Sequence, residues 1–344
     1  MNARAHRKSA DAPSLRRSDP PLDGLEAAQA RRMRQLVKVA HLYHEREMRQ
    51  ADIAKQLDIS QSRVSRLLKE AARVGVVRTA VVSPRGVHTE LEQEIEDRYS
   101  LREAVVVELP GQEEAQVTAA LGAAAAVYLE SRLGAREERI GISSWSSTLL
   151  ATVEVMQPFR APVAEQVVQV LGGLGDVSAQ SHATRLVERM AGLTGARAVL
   201  LAAPGLVATK ALRDALINDD SLRTVLRSYA ELTVLLTGIG SIRPSPLLRE
   251  SGNALRGEEE RELMHLGAVG DVCLHYFDAE GELVASELEH RLIGIEAGPL
   301  RAIPRRIGVA GGERKHEAIR AALKGRWIDV LITDAGTADA LLAQ

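Results

Sequence analysis

Seven short runs between residues 103 and 336 are apolar at nearly every position: EAVVVEL, ERIGIS, EQVVQVL, ARAVLLAA, ELTVLLTGIG, RRIGVAGG and DVLITDAG. Successive side chains of a strand point to opposite faces, so a strand with one wet face alternates apolar and polar residues. Runs that are apolar at both parities must be covered on both faces, and they are separated here by segments with helical patterning. This predicts an α/β fold over residues 102–344: a mainly parallel, doubly wound sheet with helices on each side. In that class ligands sit beyond the carboxyl ends of the strands, so the loops that follow the runs carry the candidate site.

Those loops are rich in small and hydroxylated residues. Gly141 to Thr148 reads GISSWSST, Leu171-Gly172-Gly173 follows the next run, Gly238-Ile239-Gly240-Ser241 another, and Gly311-Gly312-Glu313-Arg314-Lys315 another. Small residues let backbone amides approach an anion, and a helix beginning there adds the positive end of its dipole. Lys315 is placed to neutralise such a charge, and Asp271 in GAVGDV to accept from sugar hydroxyls. Asp271, Glu313, His316 and Asp334 are also available as an acid/base set, so an enzyme with this sheet is the competing reading. A third reading makes the body an assembly module without ligand.

Ahead of the sheet lies a different kind of unit. QADIAKQLDISQSRVSRLLKE, residues 50–70, places Ile53, Ala54 and Leu57 on one helical face and Val64, Leu67 and Leu68 on another. Asp58-Ile59-Ser60 between them supplies a corner. Asp58 tolerates a left-handed backbone, although Gly is the usual residue there, and Ser60 is placed to cap the second helix. This is helix-turn-helix spacing. Gln61, Ser62, Arg63, Ser65, Arg66 and Lys69 fall on the outward side of the second helix. Arg reads guanine and Gln reads adenine, whereas Ser60 and Lys69 suit phosphates. The expected partner is double-stranded DNA.

Charge supports that division. Residues 1–88 carry 18 Lys and Arg against 9 Asp and Glu, and the remaining residues carry 26 against 37. A basic head releases counterions from a phosphate backbone, while an acidic body is repelled by it. Residues 1–28 read as a disordered cationic tail, and 29–86 as a winged helix-turn-helix. Its first helix presents Leu36, Val39, Ala40 and Tyr43, Gly75 closes the recognition helix, VVRTAVV forms a β ribbon, and Ser83 to Gly86 end the unit. Residues 87–101 read as a connecting helix whose stripe of Leu91, Ile95 and Tyr99 can pack on its own domain or on the same helix of a second chain, with subunit pairing favoured and the acidic face solvated.

No stretch approaches a membrane span and no apolar leader opens the chain, so a cytoplasmic location is expected. One cysteine, Cys273, excludes a disulfide framework and reads as a buried thiol. His41 and His44 share a helix face without a third ligand nearby. No cofactor or metal is implied.

QADIAKQLDISQSRVSRLLKEA, GISSWSSTL, VVQVLGG, LLTGIGS, GAVGD, VAGGERKHEAI and LITDAGTADALL together resemble the SorC-type sugar-binding transcriptional regulators, over residues 33–342. The resemblance implies an effector domain similar in fold to phosphosugar isomerases and deaminases, and assembly as a homodimer or homotetramer. It implies control of operator binding by a sugar, polyol or sugar phosphate, with repression of a carbohydrate catabolic operon as the expected outcome. It assigns effector contacts to Ser144, Ser146, Ser147, Thr148, Gly172, Gly173, Asp271 and Lys315, beside the Gly238 and Gly240 loop. Ser146 departs from the glycine common after the tryptophan in this family. Leu171 stands where some relatives carry a lysine that captures an aldehyde, so covalent capture is not expected.

Overall fold

A computed structural model describes residues 27–77, 88–134, 138–173, 177–242, 253, 255 and 257–343. The chain divides into two compact units between Val82 and Ser83.

In the first unit three helices, Ala27–His44, Gln50–Leu57 and Gln61–Arg73, enclose one apolar cluster. Ile53, Val64, Leu67 and Ala71 are almost wholly buried there with Leu36 and Val39. Tyr43, expected on the same face, is 38% exposed, and Leu42 is buried in its stead. The corner forms as the residue types require. Asp58 is left-handed (φ 50°, ψ 51°), and its N–H reaches back to Ala54 and Lys55. Ser60 Oγ accepts the Arg63 N–H at 3.3 Å and so caps the following helix. Gly75 adopts φ 79° just past the recognition helix, a conformation open to glycine without strain. The expected ribbon beyond Val77, the unit's end at 83–86 and residues 1–26 of the expected 1–28 tail lie outside the described residues, whereas its last two residues open the first helix.

All seven apolar runs form strands of one sheet. β1 (Glu103–Val107), β2 (Glu138–Ile142), β3 (Ala164–Gln169), β4 (Arg197–Val199) and β5 (Val234–Thr237) are joined by β9 (Arg305–Val309) and β10 (Val330–Asp334). The order is β1-β10-β9-β5-β2-β3-β4, and every pairing is parallel. Neighbouring residues of one strand serve opposite cores: Val168, Leu235 and Leu331 enter one cluster, while Val167, Leu236 and Ile332 enter the other. That division is why both parities are apolar. A second, antiparallel sheet of three short strands, β6 (Gly240–Ser241), β7 (Gly270–Val272) and β8 (His275–Phe277), was not anticipated.

In the helix Thr89–Tyr99 the stripe packs on its own unit, the alternative to the subunit pairing favoured from sequence. Ile95 is fully buried, and Leu91 and Tyr99 pack on the same core of the second unit. The acidic side is engaged as well. Glu96 Oε1 accepts the Ala104 N–H at 2.7 Å, and Glu92 Oε1 accepts the Val106 N–H at 3.0 Å. These are donors on the open side of β1, an edge strand whose free groups need partners. Tyr99 and Arg98 donate to the carbonyls of Leu341 and Leu342, tying the helix to the carboxyl-terminal helix Ala335–Leu342.

Candidate functional site

The outward face of helix Gln61–Arg73 is laid out as its pattern predicts. Ser60, Gln61, Ser62, Arg63, Arg66 and Lys69 are exposed, Ser65 is half-buried, and Val64 and Leu67 point inward. Ser60 also shares a hydrogen bond with Ser62 Oγ at 3.0 Å, which keeps both hydroxyls at the helix start. Glu70, the one acidic residue of this helix, is paired with Arg32 of the first helix. Its charge is thereby neutralised, and the face carrying Arg63, Arg66 and Lys69 stays cationic.

In the second unit the chain leaves β4 at one edge and returns to β5 on the far side of β2, so the topology switches between β2 and β5. A cleft of about 280 Å³ opens there, beyond the carboxyl ends of the strands. Its walls come from the loops after five strands, with Leu171 entering after β3. The β2 loop and the helix Ser147–Val155 contribute Trp145, Ser146, Ser147 and Thr148. The β5 loop contributes Gly238 and Gly240, and the β9 loop Gly311, Gly312, Arg314 and Lys315. Gln112, Glu114 and Thr118 enter from the segment after β1, and Asp271, Cys273 and Leu274 from the small sheet.

Of the residues expected to meet an effector, Ser146, Ser147, Thr148, Gly238, Gly240, Asp271 and Lys315 line this cleft together. Ser146 is the N-cap of its helix, its Oγ accepting the Leu149 N–H at 3.3 Å. Three expected residues do something else. Ser144 is buried and accepts a hydrogen bond from Gln169 Nε2 at 3.0 Å. Gly172 and Gly173 seat Trp145: the indole N–H donates to Gly172 O at 3.0 Å, and a Cβ on Gly173 would lie 2.1 Å from the ring. The glycine pair therefore shapes the cleft through Trp145, which sequence reasoning missed along with Gln112, Glu114, Thr118, Cys273 and Arg314. Gly111-Gln112 lies shortly after β1, so the strand-end rule applied to that run would have found its loop.

Asp271 is the most constrained polar group of the cleft. Its Oδ1 occupies the space that a Cβ on Gly240 would fill, and its Oδ2 accepts the Leu274 N–H at 2.9 Å. Burial pushes its pKa up to about 6, against the opposing effects of the Leu274 N–H, Lys315 and His275. The crowding of protein around half-buried Lys315 pushes that ammonium down, and Asp271 counteracts it. Cys273 and Leu274 form the two-residue turn of the β7–β8 hairpin, where Val272 pairs with His275. Both are left-handed, at φ 54° and φ 67°. Such turns favour Asn-Gly, and a left-handed non-glycine residue costs about 1–2 kcal/mol. Burial raises the Cys273 thiol to about 12, which keeps it protonated near neutrality.

Of the alternative acid/base set, Asp271 and Glu313 lie at the cleft, while Asp334 and His316 do not line it. Asp334 caps the helix Ala335–Leu342: its Oδ1 accepts the Thr337 N–H at 2.9 Å, and its Oδ2 accepts the Thr337 hydroxyl at 2.6 Å and the Gly312 N–H at 2.8 Å. Glu313 is exposed at the cleft and His316 does not line it. Among the described residues no three His, Cys, Asp or Glu converge on a possible metal, and no helix is long and apolar enough to cross a membrane.

Comparison with known proteins matches these two units to two families. Residues 85–343 match the Sugar-bind family, described as a "putative sugar-binding domain", and residues 30–74 match region 4 of Sigma-70. The sorbitol operon regulator of Klebsiella pneumoniae is 32% identical over 315 residues, covering 90% of this chain and 98% of that protein. The deoxyribonucleoside regulator of Bacillus subtilis is 32% identical, covering 89% of this chain and 96% of its own length. The crystal structure of the full-length Klebsiella regulator superimposes with a TM-score of 0.68 at 30% identity, over 90% of this chain and 99% of that one. With a helix-turn-helix unit ahead of a parallel α/β sugar-binding unit, the chain belongs to the SorC family of sugar-binding transcriptional regulators.

Proposed function

We propose that this chain binds operator DNA through Ser60, Gln61, Ser62, Arg63, Ser65, Arg66 and Lys69. Its operator affinity is then set by a sugar, polyol or sugar phosphate held in the strand-end cleft. The chain acts as a homodimer or homotetramer in the cytoplasm, represses a carbohydrate catabolic operon, and turns nothing over. The observation that carries this reading is the convergence of Asp271, Lys315 and the hydroxyls of Ser146, Ser147 and Thr148 on one cleft at the topological switch point. Lys315 supplies a cation for an anionic group and Asp271 an acceptor for hydroxyls. The non-enzymatic assignment is supported by Asp334, whose carboxylate is taken up by backbone and hydroxyl donors.

A ligand shifts operator affinity only as far as it binds one arrangement of the protein better than another. The test uses the full chain and DNA flanking its own gene, with a panel of alditols, sugars and sugar phosphates. Arg63→Ala weakens operator binding and leaves the thermal stabilisation by the active compound unchanged. Lys315→Ala does the reverse, blunting the response while ligand-free operator binding persists. Equal loss of both properties in both variants would refute the division of labour.

A further inference from the structure

The Cys273–Leu274 turn combines three properties that rarely meet. Both residues line the cleft, both are left-handed without being glycine, and both are held there by contacts from several elements. Asp271 Oδ2 holds the Leu274 N–H, and Thr237 Oγ1 lies 3.8 Å from Cys273 Sγ. Strained backbone persists only where its surroundings over-determine it, and it concentrates at sites that switch.

The next residue leads away from the cleft. His275 is fully buried, its Nδ1 3.0 Å from Glu289 Oε2 and its Nε2 2.8 Å from the carbonyl of Ile295. The segment it grips, 289–296, is itself bonded to the end of β3: Ile295 N–H donates to Val170 O at 2.8 Å, and Gly172 N–H donates to Ile293 O at 3.1 Å. On its outer side Arg213 donates to Leu292 O at 2.9 Å and to Glu296 at 3.0 Å, joining helix Lys210–Ile217 to the same segment. Every step from the cleft to that surface helix is therefore a hydrogen bond or a covalent neighbour.

We propose that the Cys273–Leu274 turn is the two-state element through which an occupant of the cleft acts. His275 and Glu289 are the positioning residues that carry its state to residues 289–296. The proposal rests on the reading that the cleft holds the effector. An occupant that draws on Asp271, or presses on Cys273 and Leu274, removes part of what keeps the turn left-handed. The backbone then relaxes and displaces His275 against Glu289 and Ile295. A ligand biases such an element by its differential contacts with the two turn conformations.

The two tryptophans of the chain report on the cleft and on His275, the first step away from it. Trp145 lines the cleft, whereas Trp327 is buried away from it with its ring stacked on His275, centroids 6.1 Å apart. Full-length protein carrying 5-fluorotryptophan gives one fluorine resonance for each, assigned with Trp145→Phe. The probes are D-glucitol, D-glucose 6-phosphate and inorganic phosphate, each also scored for its effect on the melting temperature. A probe that raises the melting temperature is expected to move both resonances. In Glu289→Gln the same probe stabilises the protein and moves both resonances, since Trp327 reports on His275 ahead of Glu289, but the ratio of operator affinities with and without probe falls toward one. His275→Gln repeats the measurement should Glu289→Gln fail to fold. Stabilisation with a shifted Trp145 and a silent Trp327 in the wild type overturns the relay and leaves the effector reading standing, as does a wild-type ratio of operator affinities in Glu289→Gln. If no probe stabilises the protein or moves Trp145, both are overturned.

Discussion

Replacing Gly173 by Ala tests whether this glycine after β3 exists to seat an aromatic ring. A Cβ at this position would lie 2.1 Å from Trp145 Cζ2, against about 3.4 Å for ordinary contact, so the ring must retreat by about 1.3 Å. Overpacking of this kind costs about 1–3 kcal/mol. The retreat also breaks the indole hydrogen bond to Gly172 O, worth about 1 kcal/mol net. The sum, about 2–4 kcal/mol, corresponds to a melting temperature lowered by roughly 4–8 °C in a unit of this size. Because Trp145 forms a wall of the cleft, its emission shifts and effector binding weakens together. Gly192→Ala is the control: nothing lies within 4 Å of its Cβ position in the helix Val177–Thr194, so it gains about 0.5–1 kcal/mol. Melting and tryptophan emission of the three proteins decide the matter. A Gly173→Ala variant with wild-type melting and emission would refute the seating role.

Three further substitutions have defined outcomes. Glu96→Ala strips a carboxylate acceptor from the Ala104 N–H and lowers stability by about 1.5–3 kcal/mol in urea unfolding, with Glu96→Gln recovering part of it. Asp271 has a folded pKa raised from 3.8 to about 6, so its protonated form favours folding at low pH and that contribution is lost as pH rises through about 6. The stability of the wild type relative to Asp271→Asn therefore falls between pH 4 and pH 7, by a few kcal/mol, as chemical denaturation at each pH will register. Lys69→Ala weakens binding evenly across DNA sequences and reduces the salt slope by about 1, whereas Arg63→Ala relaxes sequence preference, as titrations at several salt concentrations distinguish.

The large sheet was legible because both of its faces are buried. Val167 and Val168, or Leu235 and Leu236, serve opposite cores and so write a run without alternation. The corner at Asp58 was legible for a local reason, since its backbone demand is met by one residue type in one place. The small antiparallel sheet escaped because its strands span only two or three residues and its hairpin turns on Cys273-Leu274 rather than on Asn-Gly. Small residues were the ambiguous ones. Gly238 and Gly240 border the cleft, yet Gly173 makes room for Trp145, Gly172 for the backbone of Ala203 and Pro204, and Ser144 answers to Gln169. Which neighbour a small residue makes room for depends on the fold around it. The same limit applies to Glu92 and Glu96, which look like solvated charges until the edge of β1 is brought alongside.

The pairing of β1 with β10 sets a schedule for the nascent chain. Residues 103–107 leave the ribosome long before residues 330–334, and at about 5–20 residues per second the first strand waits roughly 10–50 s for its partner. The amino-terminal unit, whose helices meet within residues 27–73, has no such delay and can fold while the sheet is still being translated. During that interval β1 is an unpaired apolar strand. Its protection falls to the helix synthesised just ahead of it, which makes residues 89–99 the local guard of an unfinished protein as well as a structural part of the finished one.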